Sequence, residues 1–560
     1  MWFKFSRKGI RRGVAAVLAA VTTVSLAACG GGAAKSSPSE TLNVWSGLTG
    51  TLNENFNPFY AAPLAGTSGI IYEPLFWYNF AKESDPTPML ATDYSWNDDG
   101  SVLSITTREG VKWQDGQDFS AKDVAFTFNL IANNASINSS GLNVKAEATD
   151  NTHVTITFGA KDSYTQEAQI LANTPIVPEH IWSKIDDPGS SINDNPIGTG
   201  PYQLDKFTAQ SYSFKAYEGY WNKAPKVTSV RFISLSDNDS AASAFLAGKV
   251  DWMNAYIPNL DSLIKGKSDL KYVNNPSYAT TIDACSNVSL GCEGPQTDPA
   301  VRQALYYAMN RSQLIKLAGG GFAGQASPTL LKPGRDDKWI TDDSLKLAPE
   351  ASDIDKANEI LDAAGWVKGS DGIRVKDGQR LSMTIQTVTG WSDYISINET
   401  LRQQVQEAGI ELKPTQVASN ENDNDLQKGE YQLVLDSFAF SVSTDPYFSY
   451  IRLATENTAK VGETAVGRNY ARYSNEKVDN ALKAAASTND ESVKKEQYAI
   501  IQQEMFSDMP YIPVYLNQLL SEYSTAKATG WVTDEDPYAI AASWKGWDVG
   551  IVLHNLEPVK

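Results

Sequence analysis

Segments of period two alternate with segments of helical period along this chain, and no other feature constrains its fold as strongly. The stretches "TLNVWSG" (41–47), "SVLSITTREG" (101–110) and "HVTITFGA" (153–160) alternate apolar and polar residues as half-buried strands do. "FSAKDVAFTFNLIANN" switches to helical spacing, with Ser120 placed to cap and Val124, Phe128 and Leu130 on or near one face. "DPAVRQALYYAMNRSQLIKLA" predicts one long helix, apolar at Val301, Ala304, Leu305, Ala308 and Met309. "DIDKANEILDAAGW" and "NETLRQQVQEAGIELKP" repeat an order of helix, glycine stop and strand, with Gly365 and Gly409 as the stops. An α/β architecture follows. At 560 residues the chain is too long for one core, so two or three lobes are expected.

The N-terminus reads differently. Lys4, Arg7, Lys8, Arg11 and Arg12 precede an uncharged apolar stretch, Gly13 to Ala28, which is the order of a secretory signal. "Leu26-Ala27-Ala28-Cys29" resembles the bacterial lipobox, in which small residues precede a cysteine that is lipidated before cleavage ahead of it. The expectation is a signal peptide over 1–28, a lipid on Cys29 and a flexible tether over 29–40, "CGGGAAKSSPSE". An ordinary signal cut near an A-x-A site is the alternative, and it would make Cys29 incidental. No apolar run of about 20 residues follows downstream. The formal net charge is −18, and with the five leader cations removed the rest carries −23. So acidic a body is repelled by nucleic acid and by anionic headgroups, and reads as a soluble secreted surface.

Cys285 and Cys292, seven positions apart in "ACSNVSLGCEG", are predicted to pair in an oxidising compartment. Free thiols or a metal site are the alternatives, weakened by the scatter of His153, His180 and His554. No cofactor or metal is expected. The sequence has no G-x-S-x-G elbow and no G-x-x-x-x-G-K-[ST] phosphate loop, and "AGGGFAG" (318–324) reads as a helix stop and loop. The expectation is a protein that is not an enzyme. Paired carboxylates among 66 acidic residues keep a secreted glycoside hydrolase as the remote alternative.

Six blocks in order carry a family resemblance. They are "LATDYSWNDDGSVLSITTREGVKWQDGQDFSAKDVAFTF" (90–128), "PIVPEHIW" (175–182), "NPIGTGPYQLDKF" (195–207), "YEGYWNKAPKVTSVRF" (217–232), "AVRQALYYAMNR" (300–311) and "YSNEKVDNALKAA" (473–485). Together they resemble the extracytoplasmic solute-binding proteins of family 5, the receptors of peptide-type ABC importers. The resemblance implies a periplasmic-binding-protein-like fold of type II, cluster C, with three lobes and a ligand cleft between lobes I and III. Lobe I would comprise 41–72, 194–285 and 521–560, lobe II 73–193, and lobe III 286–520. The Cys285–Cys292 loop would lie at the crossing into lobe III. The implied partners are a small solute and the transmembrane subunits of an ABC permease. Membrane contact would be through the lipid anchor alone, on the extracytoplasmic face, and the protein would be a monomer without a nucleic-acid partner.

The same resemblance suggests where a ligand would touch. In the family's peptide binders the stretch after a "G-x-x-D" meets the ligand, and here "GKVDWMNAYIP" (248–258) stands in that place. Asn254 and Tyr256 are expected as hydrogen-bonding groups there, and Trp252 as a stacking face with core packing as its alternative; Trp45 is expected as a further ligand-binding aromatic. On the lobe III side "YQLVLDSFAFSVSTDPYF" (431–448) corresponds to the loop that anchors a peptide's amino terminus, which adds Phe438, Phe440, Ser441 and Asp445. The family's aspartate falls here at Ser441 or Val442, so either Asp445 takes the amine or no charged amine is bound. Tryptophans in loops, and a tail "DPYAIAASWKGWDVGIVLHNLEP" (536–558) similar to the oligosaccharide-binding subgroup, keep a cellobiose- or xylo-oligosaccharide-like ligand as the alternative to an oligopeptide.

Overall fold

The computed structural model describes residues 41–559, apart from 61–62, 139–140, 162, 256, 258, 318–319, 390, 442, 444 and 466–467. The expected signal peptide, tether and Cys29, and Tyr256, therefore lie outside the described residues.

The three largest of six sheets organise the described residues. The largest has seven strands, in the order 270–274, 520–524, 252–253, 42–45, 229–233, 211–216 and 202–208. Its central strand, Leu42–Trp45, pairs in parallel with Ser229–Ile233 on one side and Trp252–Met253 on the other. A strand from the beginning of the described residues thus sits between strands far later in the chain, and Leu520–Ser524, from near the other end, lies in the same sheet between 252–253 and 270–274. Val44, Trp252, Phe214, Phe232 and Val552 form part of its core.

The second sheet has five strands, in the order 411–417, 382–388, 433–439, 278–284 and 511–516. Ser382–Val388 runs parallel to both neighbours, and helix Ser392–Gln406 makes the crossover that such pairing needs. The predicted stops Gly365 and Gly409 both adopt positive φ, +84° and +81°, where a side chain is disfavoured. Val301, Ile385, Leu401 and Leu433 fill this core. The third sheet is antiparallel, in the order 91–96, 102–107, 153–158 and 144–148. Helix Ala121–Ala132 packs on it, and Ser120 caps that helix as expected, in a reciprocal box with Asp123. All three expected strands occur, as Leu42–Trp45, Val102–Thr107 and His153–Phe158.

Two expectations change. The long helix near 300 is two, Pro299–Ala308 and Arg311–Leu317, because the chain turns extended at Met309. Arg311 is fully buried there, and its guanidinium donates to the carbonyls of Tyr306, Pro349 and Pro513 while lying 4.4 Å from the Tyr306 ring centroid. Strand Tyr278–Ala284 belongs to the five-stranded sheet, so the passage between the two large sheets falls between Asn274 and Tyr278, not at 285/286. Cys285 and Cys292 are joined as a disulfide with Cα atoms 5.5 Å apart, at the far end of that strand from the passage. No helix among the described residues is long and apolar enough to cross a membrane.

Candidate ligand-binding cleft

The chain crosses between the two large sheets twice, from Asn274 to Tyr278 and back from Leu516 to Leu520, and the two crossings run side by side. Asn275 N donates to Leu519 O at 2.9 Å, Asn517 N to Tyr278 O at 3.0 Å, and Leu519 N to Asn274 Oδ1 at 2.9 Å. A cavity of about 390 Å³ opens at this double crossing. Asn254, Ala255, Leu520 and Trp544 line it from the seven-stranded side, together with Asn238 at the start of helix Asn238–Leu246. Tyr278 and Asp393 line it from the five-stranded side, and Asn517, Gln518 and Leu519 form the crossing itself. A cleft at the junction of two sheets, bordered by strand ends and helix starts, is where open α/β folds bind small ligands.

The lining is polar but nearly uncharged. Asp393, in the first turn of helix Ser392–Gln406, is the one charged residue among the described lining residues, and none of these is basic. Gln518 Oε1 is buried without a hydrogen-bond partner. Burial, and then the Asp393 charge, raise the Tyr278 phenol above its ordinary range, so it stands as a neutral hydroxyl. Behind Ala255, Glu522 accepts from Ala255 N at 3.2 Å, and burial lifts its carboxyl to about 8. Trp544 keeps 46% of its surface exposed.

Of the residues singled out from the sequence, Asn254 reaches the cavity wall. Its amide is nevertheless engaged: Nδ2 donates to Leu520 O and Ser521 Oγ, and Oδ1 accepts from Ser543 N and Oγ. Trp252, expected as a stacking face with core packing as its alternative, and Trp45, expected as a ligand-binding aromatic, are both core residues. Trp252 is fully buried edge-on to Trp531 with Nε1 donating to Ala541 O at 2.7 Å, and Trp45 packs with Phe245 and Leu260 with Nε1 donating to Leu48 O at 2.9 Å. Burying the apolar ring while the indole N–H finds a carbonyl satisfies both parts of the side chain.

The loop expected to hold a peptide amine is likewise turned to structural use. Phe438 is buried under the Arg452 guanidinium, 3.7 Å from its ring centroid, and Phe440 packs with Phe80, Ala279 and Leu516. Ser441 O accepts from Arg335 Nη1 at 2.8 Å and its hydroxyl accepts from Ser443 N. The Asp445 carboxylate accepts from Lys494 Nζ at 2.6 Å, from the Tyr498 hydroxyl, and from Tyr447 N at 3.0 Å. None of these four lines the cavity. Sequence reasoning did not single out Tyr278, Asp393 or Gln518; the available signal was position, since Asp393 follows the end of a parallel strand, Tyr278 ends one crossing and Gln518 lies within the other.

Two sheet-centred bodies joined by a double crossing, with a polar cavity at the join, define a solute-binding protein of the periplasmic type II kind. The chain belongs to family 5 of the bacterial extracellular solute-binding proteins, whose middle-region model matches residues 85–460. It is 28% identical over 491 residues to the glutathione-binding protein GsiB of Salmonella paratyphi A, covering 84% of this chain and 87% of that protein. Against GsiB of Escherichia coli O157:H7 the identity is 27% over 488 residues, with the same coverage. Among solved structures it is similar to the periplasmic oligopeptide-binding protein of an oligopeptide ABC transporter from Thermotoga maritima, with a TM-score of 0.83 at 27% identity, covering 93% of this chain and 100% of that one. The mannohexaose-bound form of the Thermotoga maritima oligopeptide-binding protein gives a TM-score of 0.74 at 27% identity, with 93% and 99% covered.

Proposed function

We propose that the chain is the substrate-binding component of an ABC importer, capturing an oligopeptide-type solute outside the membrane and delivering it to the permease. The observation that carries this is the cavity at the double crossing between the two large sheets. The seven-stranded sheet is the body of lobe I, the four-stranded sheet that of lobe II over 73–193, and the five-stranded sheet that of lobe III, with lobe boundaries at 275–277 and 517–519. The paired crossings then serve as the hinge about which lobe III closes on captured solute. The chain performs no chemistry on the solute in this scheme; import is driven by the permease's own ATPases.

Export by residues 1–28 and a lipid on Cys29 would hold the protein at the extracytoplasmic face of the cell membrane, with 29–40 as slack, and the acidic remainder monomeric and off the lipid surface. Detergent-phase partitioning that is lost in Cys29→Ser supports the anchor, and equal partitioning removes it. A second reading, an oligosaccharide ligand, is favoured by the exposed Trp544 ring beside a lining of amides, and by the mannohexaose in a similar structure. Calorimetric titration with tri- to pentapeptides and with cello-, xylo- and manno-oligosaccharides separates the two. Binding of neither class would overturn the receptor assignment, and steady cleavage of a glycan would replace it with a hydrolase.

A further inference from the structure

A peptide amine needs a counter-charge, and the loop that the family resemblance assigns to that task does not offer one. Asp445 is held by Lys494, Tyr498 and Tyr447 N, away from the cavity, and Ser441 carries no charge. The cavity contains a different acid. Asp393 lines it without a hydrogen bond or ion pair to any described residue. Two further oxygens belong to residues that line the same space: Gln518 Oε1, without a hydrogen-bond partner among the described residues, and the Tyr278 hydroxyl, which burial and then the Asp393 charge keep protonated. These are three oxygen acceptors, one of them anionic. A primary ammonium group has three N–H donors and no acceptor, so its requirements match this set. A carboxylate placed there would face Asp393 with no basic residue among the described lining to balance it, since Lys545, next to Trp544, extends its ammonium over the Phe80 ring 4.6 Å from the centroid.

We propose that Asp393 is the specificity-determining counter-charge for a primary ammonium group of the solute, in an oligopeptide its amino terminus, with Gln518 and Tyr278 accepting its remaining protons. The assignment rests on the oligopeptide-type receptor function proposed above. It also requires the carboxyl end of the solute to lie outside this cavity.

The test is calorimetric titration of wild type and Asp393→Asn with tetra-alanine, N-acetyl-tetra-alanine and mannohexaose, each variant first shown to melt as wild type does. Tetra-alanine is expected to bind wild type, and acetylation to weaken it by about 30-fold or more, the usual effect of removing one member of a desolvated charge pair. Asp393→Asn should weaken tetra-alanine to a similar degree and leave N-acetyl-tetra-alanine within about twofold, so the two changes are not additive. Asp393→Glu should recover part of the loss. If tetra-alanine binds Asp393→Asn as it binds wild type, or acetylation costs the same in both proteins, the Asp393 assignment is overturned while the receptor function stands. Binding of mannohexaose without binding of tetra-alanine also overturns it. Binding of none of the three overturns both.

Discussion

Trp252 illustrates how an aromatic side chain beside a cleft is directed by its strand. Its neighbours Asn254 and Ala255 reach the cavity, yet the indole itself is fully covered, hydrogen-bonded to Ala541 O and edge-on to Trp531 with centroids 5.7 Å apart. Replacing it with alanine should cost about 3–5 kcal/mol in urea unfolding, as large core truncations do, with ligand affinity of the folded fraction within twofold. A tenfold affinity loss at unchanged stability would place the ring on the ligand instead. The sequence identified this segment as cleft-bordering but not the direction of each side chain, because that depends on pairing with Val44 and Tyr523, far away in the chain. Glu522 carries a pH signature of the same neighbourhood. Its carboxyl is raised by burial from 4.5 to about 8, so its contribution to stability is fully present below about 4.5 and is lost as the pH rises through about 8. Other buried acids, Glu73 and Asp283 among them, are common to wild type and Glu522→Gln and cancel in the comparison. The melting temperature of Glu522→Gln relative to wild type should therefore rise between pH 5 and pH 9; a constant difference across that range contradicts the buried neutral acid.

Elements were legible wherever one face of a helix or strand meets solvent. Helix Ala121–Ala132, its Ser120 cap and the Gly365 and Gly409 stops follow from local pattern and local backbone preference. Strand Tyr278–Ala284 did not announce itself, because Thr280, Thr281 and Asp283 are polar residues buried in a central strand. They are satisfied from within: Thr281 Oγ1 donates to Asp283 Oδ1 at 2.7 Å, and Thr280 meets the Tyr394 hydroxyl at 3.3 Å. The passage between the two large sheets at 274–278 was not legible for that reason. The break at Met309 was hidden too, since the carbonyls that hold Arg311 come from residues 306, 349 and 513. The cystine at the end of this strand closes a short loop, and in the chain-entropy view such a link contributes about 2–3 kcal/mol. Reduced protein, or Cys285→Ser with Cys292→Ser, should unfold at correspondingly lower urea concentration; an unchanged midpoint together with two titratable thiols in native protein would show the pair to be free.

At the scale of the whole molecule, the two large sheets are each assembled from distant parts of the chain and linked by two antiparallel crossings, and the cavity lies where those crossings pass. The family was legible from chain order, because six family blocks occur in sequence between residues 90 and 485. The cavity wall was less legible, since it includes residues 238, 254, 278, 393, 517 and 544, which become neighbours only after both sheets close. Its amides, exposed tryptophan and the one acid among its described residues are the basis of the receptor function proposed above. Titration of wild type and Ala255→Trp with the same tri- to pentapeptides, at matched melting temperature, tests that claim most directly. One solute per wild-type chain, and no heat of binding once an indole fills the space beside Asn254, is the predicted result; an Ala255→Trp protein that binds as wild type does would contradict it.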